Sequence, residues 1–138
     1  MYTLTIRSEL AELGKIRDFL KKRLTAFRLS EEDSFRIELS LVEMCTNIMR
    51  YAYPRDSGEI SVRAWHEKGR FYLEIRDNGI PFDPRRVKRP SLKEMINRDQ
   101  MGGLGIFLAR KLMDGFAYRR EDNQNILTMF KRVKAREA

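Results

Sequence analysis

The spacing of apolar residues switches between two periods along this chain, and the order of the switches constrains the fold more than any single motif. Leu4 and Ile6 alternate with polar neighbours between Tyr2 and Arg7, the pattern of a strand with one buried face. Leu10, Leu13, Ile16, Leu20, Leu24 and Phe27 then recur at three- and four-residue steps, the stripe of an amphipathic helix. Ser8 is placed to cap it. A second helix is predicted from about Glu31 to about Tyr51, with Ser30 as its cap. Glu31, Glu32 and Asp33 lie at the positive end of its dipole, and Pro54 and Asp56-Ser57-Gly58 end it.

Alternation returns at Ile60, Val62 and Ala64, and again at Phe71, Leu73 and Ile75. Glu67-Lys68-Gly69-Arg70 between them reads as a hairpin turn. Residues 78 to 91 hold three of the four prolines and read as a structured loop. Residues 92 to 101 read as a short, loose helix, and Leu104 to Met113 as a firmer one. Phe116 to Arg120 and Ile126 to Arg132 form a closing hairpin around Asp122-Asn123-Gln124-Asn125. The order β-α-α-β-β-α-β-β predicts a two-layer α/β (α+β) sandwich, with helices on one face of a mixed, mostly antiparallel sheet.

A length of 138 residues suits one domain over 1–138 with one core, and a hydrophobic content of 42% suits a globular chain. No apolar run reaches the roughly 20 residues that span a bilayer, so a cytoplasmic protein is expected. The single cysteine, Cys45, has no internal disulfide partner and reads as a small buried hydrophobe. The net charge of +8 favours acidic partners such as nucleotide phosphates. The basic residues are spread out, apart from a cluster at Arg85, Arg86, Lys88 and Arg89. Neither stacking aromatics nor zinc-ligand spacing accompanies them, which argues against a nucleic-acid-binding domain.

Three segments carry the polar chemistry. Glu43 and Asn47 are one turn apart on the second helix and share a face. An amide oxygen suits Mg²⁺ that is also bound to phosphate, and a carboxylate beside it suits proton abstraction. The same pair also suits ordinary surface hydrogen bonds. Asp77-Asn78-Gly79 closes a strand. It reads either as a turn or as a carboxylate for an exocyclic amine, beside a residue with no side chain to obstruct a flat base. Gly102, Gly103 and Gly105 open an apolar helix whose free N–H groups suit phosphate. The spacing is neither that of a P-loop nor that of a Rossmann fingerprint.

In order and spacing, these segments resemble the N box and the two glycine boxes of the GHKL ATPases, which share the Bergerat ATP-binding fold. Glu43 to Pro54, Asp77 to Pro84 and Gly103 to Asp114 look especially like the bacterial anti-sigma factors that are also serine kinases. The resemblance implies that Glu43 is the general base and Asn47 the Mg²⁺ ligand. It implies that Asp77 reads adenine, with Gly79 shaping the pocket. Gly103, Leu104 and Gly105 would hold the phosphates, and residues from about Pro90 to Met101 would form the ATP lid. Thr128 on the last strand would support the adenine contact, although Asn123, Gln124 and Asn125 stand where the family often has a glycine. Arg50 reads as a surface arginine rather than a phosphate contact.

The resemblance also implies ATP (or ADP) and Mg²⁺ as cofactors. Its partners would be a STAS-domain anti-sigma antagonist and a sigma factor or other regulator, and homodimers are common in that family. His66, the only histidine, reads as a surface or half-buried residue, so a self-contained histidine kinase is not expected. The leading expectation is a partner-switching serine kinase. The alternative is a non-catalytic module whose partner affinity is set by ATP or ADP.

Overall fold

The computed structural model describes residues 1–53, 58–87, 91, 93 and 102–134. Strand β1 (Tyr2–Arg7) leads through a 3-10 turn (Leu10–Glu12) into α1 (Leu13–Ala26), then α2 (Glu31–Tyr51). Strands β2 (Glu59–Glu67) and β3 (Arg70–Asp77) follow, then a short 3-10 turn (Pro84–Arg86). Helix α3 (Gly102–Leu112) and strands β4 (Gly115–Glu121) and β5 (Gln124–Arg132) complete the described chain. The expected element order holds. The expected short helix at 92–101 lies outside the described residues, Lys93 apart.

The five strands form one sheet in the order β1-β2-β3-β5-β4, and every pairing is antiparallel. No parallel pair occurs among the described residues, so the sheet is simpler than the mixed one expected. Ile60, Val62 and Ala64 pair with Asp77, Ile75 and Leu73 on one face, which also carries Leu127 and Met129. That face packs on Ile16, Leu20 and Leu24 of α1, Ile37, Leu41, Met44, Cys45 and Ile48 of α2, and Ile106 and Ala109 of α3. The opposite face carries an aromatic row: Trp65 stacks on Tyr72 at 5.1 Å, and Tyr72 lies 5.5 Å from Phe130.

Local chemistry sets several boundaries. The Ser30 hydroxyl accepts from the Asp33 N–H at 3.1 Å, which caps α2 as the sequence predicts. The hairpin turns are two residues long. Lys68 and Gly69 have φ of 49° and 76°, and Asp122 and Asn123 have 50° and 61°, the left-handed geometry that matches strand twist. Ser8 does not cap α1. The 3-10 turn intervenes, α1 has no side-chain cap, and the Ser8 hydroxyl is buried with no hydrogen-bond partner among the described residues. Leu10 lies in that turn and is 58% exposed, so it falls outside the stripe assigned to it. Cys45 is fully buried in the core, and burial pushes its thiol up to about 12. Half-buried His66 stacks on Phe27 at 5.3 Å. Among the described residues, no helix is long and apolar enough to cross a membrane.

Candidate active site

A narrow cleft lies where the C-terminal half of α2 meets the ends of β3, β4 and β5. Its apolar walls are Met44 and Ile48 of α2, Ile75 of β3 and Leu127 of β5, with Phe82 and Pro84 from the loop after β3. Its polar groups are Asn47, Asp77, Tyr118 and Asn125. A flat apolar slot with a few convergent polar groups is the usual form of a small-molecule site.

Asp77 is the last residue of β3 and is 3% exposed. Its Oδ1 accepts from the Gly79 N–H at 2.9 Å and from Asn125 Nδ2 at 2.9 Å. Oδ2 accepts no hydrogen bond among the described residues. Burial raises the carboxyl above the usual aspartate range, opposed by the Asn125 and Gly79 hydrogen bonds and the nearby Arg120 charge. Asn47, on the α2 wall, is 6% exposed, and its Oδ1 is buried with no hydrogen-bond partner among the described residues. An unpaired buried amide oxygen is costly, and a hard cation bound there would satisfy it. The residues present therefore fit Mg²⁺. Asn47 would hold the ion jointly with phosphate oxygens, and when bound it would neutralise phosphate charge.

Glu43 lies one turn before Asn47 and is half-buried. A Cβ added to Gly105 would fall 2.3 Å from Glu43 Oε2 and 3.3 Å from its Cδ. The carboxylate thus rests directly on the Gly105 backbone, and any side chain there would displace it. The expected glycine segment lies at the start of the described part of α3. Gly103, Leu104 and Gly105 therefore stand in the first described turn of α3, and N–H groups of a first helical turn suit phosphate. Of these, Gly105 is in direct contact with the Glu43 carboxylate.

One expected role is corrected. Thr128 pairs with Glu74, whereas Asn125 pairs with Asp77 and Leu127 with Ile75. Alternate residues face opposite sides of a sheet, so Thr128 is on the aromatic face, away from the cleft. The β5 side chain that touches Asp77 is Asn125. The earlier hairpin reading put Asn125 in the turn, whereas the turn is only Asp122-Asn123. At Gly79 the space a side chain would take is filled by α2. A Cβ there would fall 2.4 Å from the Ala52 carbonyl oxygen and 2.5 Å from the Ala52 Cβ. The glycine is required by close packing on the end of α2, where the Ile80 N–H donates to the Ala52 carbonyl at 2.9 Å.

Arg50 is exposed, as expected of a surface arginine. In the basic loop, Arg85 forms an ion pair with Asp83 at 2.9 Å, and Arg86 lies 3.7 Å from the same carboxylate. Lys88 and Arg89, and the expected lid from Pro90 to Met101 apart from Ser91 and Lys93, lie outside the described residues. Sequence reasoning also missed Tyr53, whose hydroxyl donates to the Glu59 carbonyl at 2.7 Å and accepts from the Asn78 N–H at 2.6 Å. Tyr53 thereby pins the turn after Asp77 to the start of β2. The missed signal at Asn125 was a polar residue in phase with Leu127 and Met129, on the strand face that is otherwise apolar.

The sequence profile of the histidine kinase-like ATPase domain matches residues 6–131. The chain is similar to the serine-protein kinases RsbW of Bacillus thuringiensis (strain Al Hakam) and Bacillus cereus (strain 03BB102). It is 28% identical to each over 100 residues, which is 70% of this chain and 62% of the relative. The matched region thus spans about three fifths of the length of these curated relatives. Among solved structures, the fold is similar to the RsbU and RsbW domains of Rv1364c from Mycobacterium tuberculosis, with a TM-score of 0.63 and 14% identity, covering 100% of this chain and 35% of that one. It is also similar to the histidine kinase AdeS of Acinetobacter baumannii, with a TM-score of 0.52 and 14% identity, covering 99% of this chain and 70% of that one. With its two-layer fold and a profile match over almost its whole length, the chain belongs to the histidine kinase-like ATPase domain family.

Proposed function

We propose that this protein is an ATP-dependent protein-serine kinase that acts as an anti-sigma factor in a partner-switching pathway in the cytoplasm. The observation that carries the reading is that Asp77 and Asn47 line one cleft, with Glu43 one helical turn away. Among the described residues, Asp77 has a free acceptor oxygen, Asn47 has an unpartnered buried one, and the Glu43 carboxylate lies against Gly105 of α3. In this reading Asp77 Oδ2 accepts from the exocyclic amine of adenine, and the apolar walls hold the ring. N–H groups at Gly103 and Gly105 donate to the phosphates. Glu43 accepts the hydroxyl proton as a substrate serine oxygen bonds to the γ-phosphorus. The bond from that phosphorus to the bridging oxygen breaks, and ADP leaves with its electron pair. Such transfer depends mainly on positioning and charge stabilisation.

The substrate is proposed to be a serine of a STAS-domain anti-sigma antagonist, and the sequestered partner a sigma factor. The similarity to the RsbW serine-protein kinases supports this choice. One observation favours a second reading, a non-catalytic module in which nucleotide only sets partner affinity: the Glu43 carboxylate is packed against Gly105 rather than open to the cleft.

The test is incubation with Mg-ATP and a STAS-domain antagonist, followed by mass spectrometry. The kinase reading predicts phosphoserine on the antagonist, with transfer lost and nucleotide binding kept in Glu43→Gln. A folded, ATP-bound protein that makes no phosphoserine would establish the second reading instead. Equal transfer by Glu43→Gln would remove Glu43 from the mechanism.

A further inference from the structure

Asn125 is 5% exposed and uses its whole hydrogen-bonding capacity. Nδ2 donates to Asp77 Oδ1 at 2.9 Å and to the Ile80 carbonyl at 2.8 Å. Oδ1 accepts from the Phe82 N–H at 3.2 Å and the Tyr118 hydroxyl at 2.5 Å. Two donors and two acceptors exhaust a primary amide. A backbone N–H can only donate and a carbonyl can only accept, so the Phe82 and Ile80 contacts fix which end of the amide faces Asp77.

The consequence falls on the carboxylate. Oδ1 of Asp77 takes two donors, from Asn125 and Gly79, and cannot turn into the cleft without breaking both. Oδ2 is left as a single acceptor at the apolar slot. An ionised oxygen there attracts an N–H of a base and repels a carbonyl oxygen. A carboxyl group that gained a proton would lose this selectivity, since its O–H could donate to a carbonyl. Burial favours that proton, and the Asn125 hydrogen bond opposes it.

We propose that Asn125 is the positioning residue that sets nucleobase specificity. By locking Asp77 it makes the cleft select purines with an amino group at position six over purines with an oxo group there. The same amide ties the Ile80 and Phe82 backbone to the sheet, so the carboxylate and the loop wall of the slot are held as one unit. The proposal rests on the ATP-site reading above and extends it to a residue whose side chain contacts Asp77.

The experiment measures dissociation constants by calorimetry for Mg-ATP and Mg-inosine triphosphate, which differ at position six of the base. Wild type is expected to prefer ATP by about 10- to 100-fold, the range for leaving a buried polar group mispaired. Asn125→Leu keeps the bulk but loses the donor, and its ATP-to-inosine ratio is expected to fall to within about threefold of unity. Asn125→Asp keeps the acceptors for Phe82 and Tyr118 and loses both donors. It serves if the leucine variant does not fold, and its ratio is expected to fall likewise. A merely structural role would weaken both nucleotides equally, so an unchanged ratio in a folded variant overturns the inference. A wild type that binds neither nucleotide, or both alike, overturns the ATP-site reading itself.

Discussion

Replacing Gly105 with alanine should separate catalysis from folding. The added methyl would lie 2.3 Å from Glu43 Oε2, 3.3 Å from its Cδ and 3.5 Å from its Cβ. Carbon contacts are relaxed at roughly 3.5–4 Å, so only the far end of the side chain must retreat, by about 1 Å. Turning the carboxylate off its preferred angle costs about 0.5–1.5 kcal/mol. Alanine in a helix is better than glycine by about 0.8–1.0 kcal/mol. The two effects offset, and the melting temperature should move by no more than about 3–4 °C, since 1 kcal/mol corresponds to roughly that shift at this size. The α3 backbone N–H groups are untouched, so ATP affinity should hold. A displacement of about 1 Å at a reacting group costs on the order of 100-fold, and phosphotransfer by Gly105→Ala should fall by about that factor. The assay is single-turnover transfer to the antagonist, set beside calorimetry and a thermal melt. In a double-mutant cycle, Gly105→Ala with Glu43→Gln should be no slower than Glu43→Gln alone, because the two act through one carboxylate. An undiminished transfer rate in folded Gly105→Ala would refute the claim that this glycine exists to seat Glu43.

Other outcomes follow from the same geometry. Gly79→Ala meets backbone atoms of Ala52 at 2.4 and 2.8 Å that cannot swing away. Overpacking of about 1–3 kcal/mol and a lost Ile80 hydrogen bond of about 1 kcal/mol should lower the melting temperature by roughly 7–15 °C, read by circular dichroism. Asp77 is raised in the folded state, chiefly by burial, so its ionisation opposes folding. Its stabilising share is complete below the unfolded aspartate value of about 3.9 and is lost as pH rises through the folded one. Asp77→Asn should therefore be more stable than wild type at pH 7, with the gap closing as pH falls toward the unfolded value. Denaturant titrations across that range check the sign.

Features fixed by neighbours in sequence were legible in the chain itself. The Ser30 cap needed only Asp33, and the Lys68-Gly69 turn needed only the alternation on either side. Asn47 and Asp77, proposed from residue type and spacing, line one cleft, and Glu43 lies one turn from Asn47. What sequence reasoning missed at the site depends on contacts between distant segments. Thr128 and Asn125 exchange importance through register alone. Shortening the last turn to Asp122-Asn123 moves Asn125 into the strand, and pairing it with Asp77 puts Thr128 on the far face. A one-residue difference in register inverts every side chain. The need for glycine at position 79 comes from the end of a helix that lies more than twenty residues earlier, which no local pattern shows. The Ser8 cap failed because a 3-10 turn, stabilised locally, separates Ser8 from α1.

The central claim is that Asp77 reads the base of a bound nucleotide. Calorimetry with Mg-ATP on wild type and Asp77→Asn tests it most directly. In the variant, Gly79 and Asn125 still demand an acceptor, so the new amide must turn its NH₂ toward the cleft and meet an exocyclic amine donor to donor. Losing a hydrogen bond to a charged group costs about 1.5–3 kcal/mol. The account therefore predicts that wild type binds Mg-ATP and that folded Asp77→Asn binds it about 10- to 150-fold more weakly. Equal affinity in the two proteins, or no binding by wild type, would contradict it.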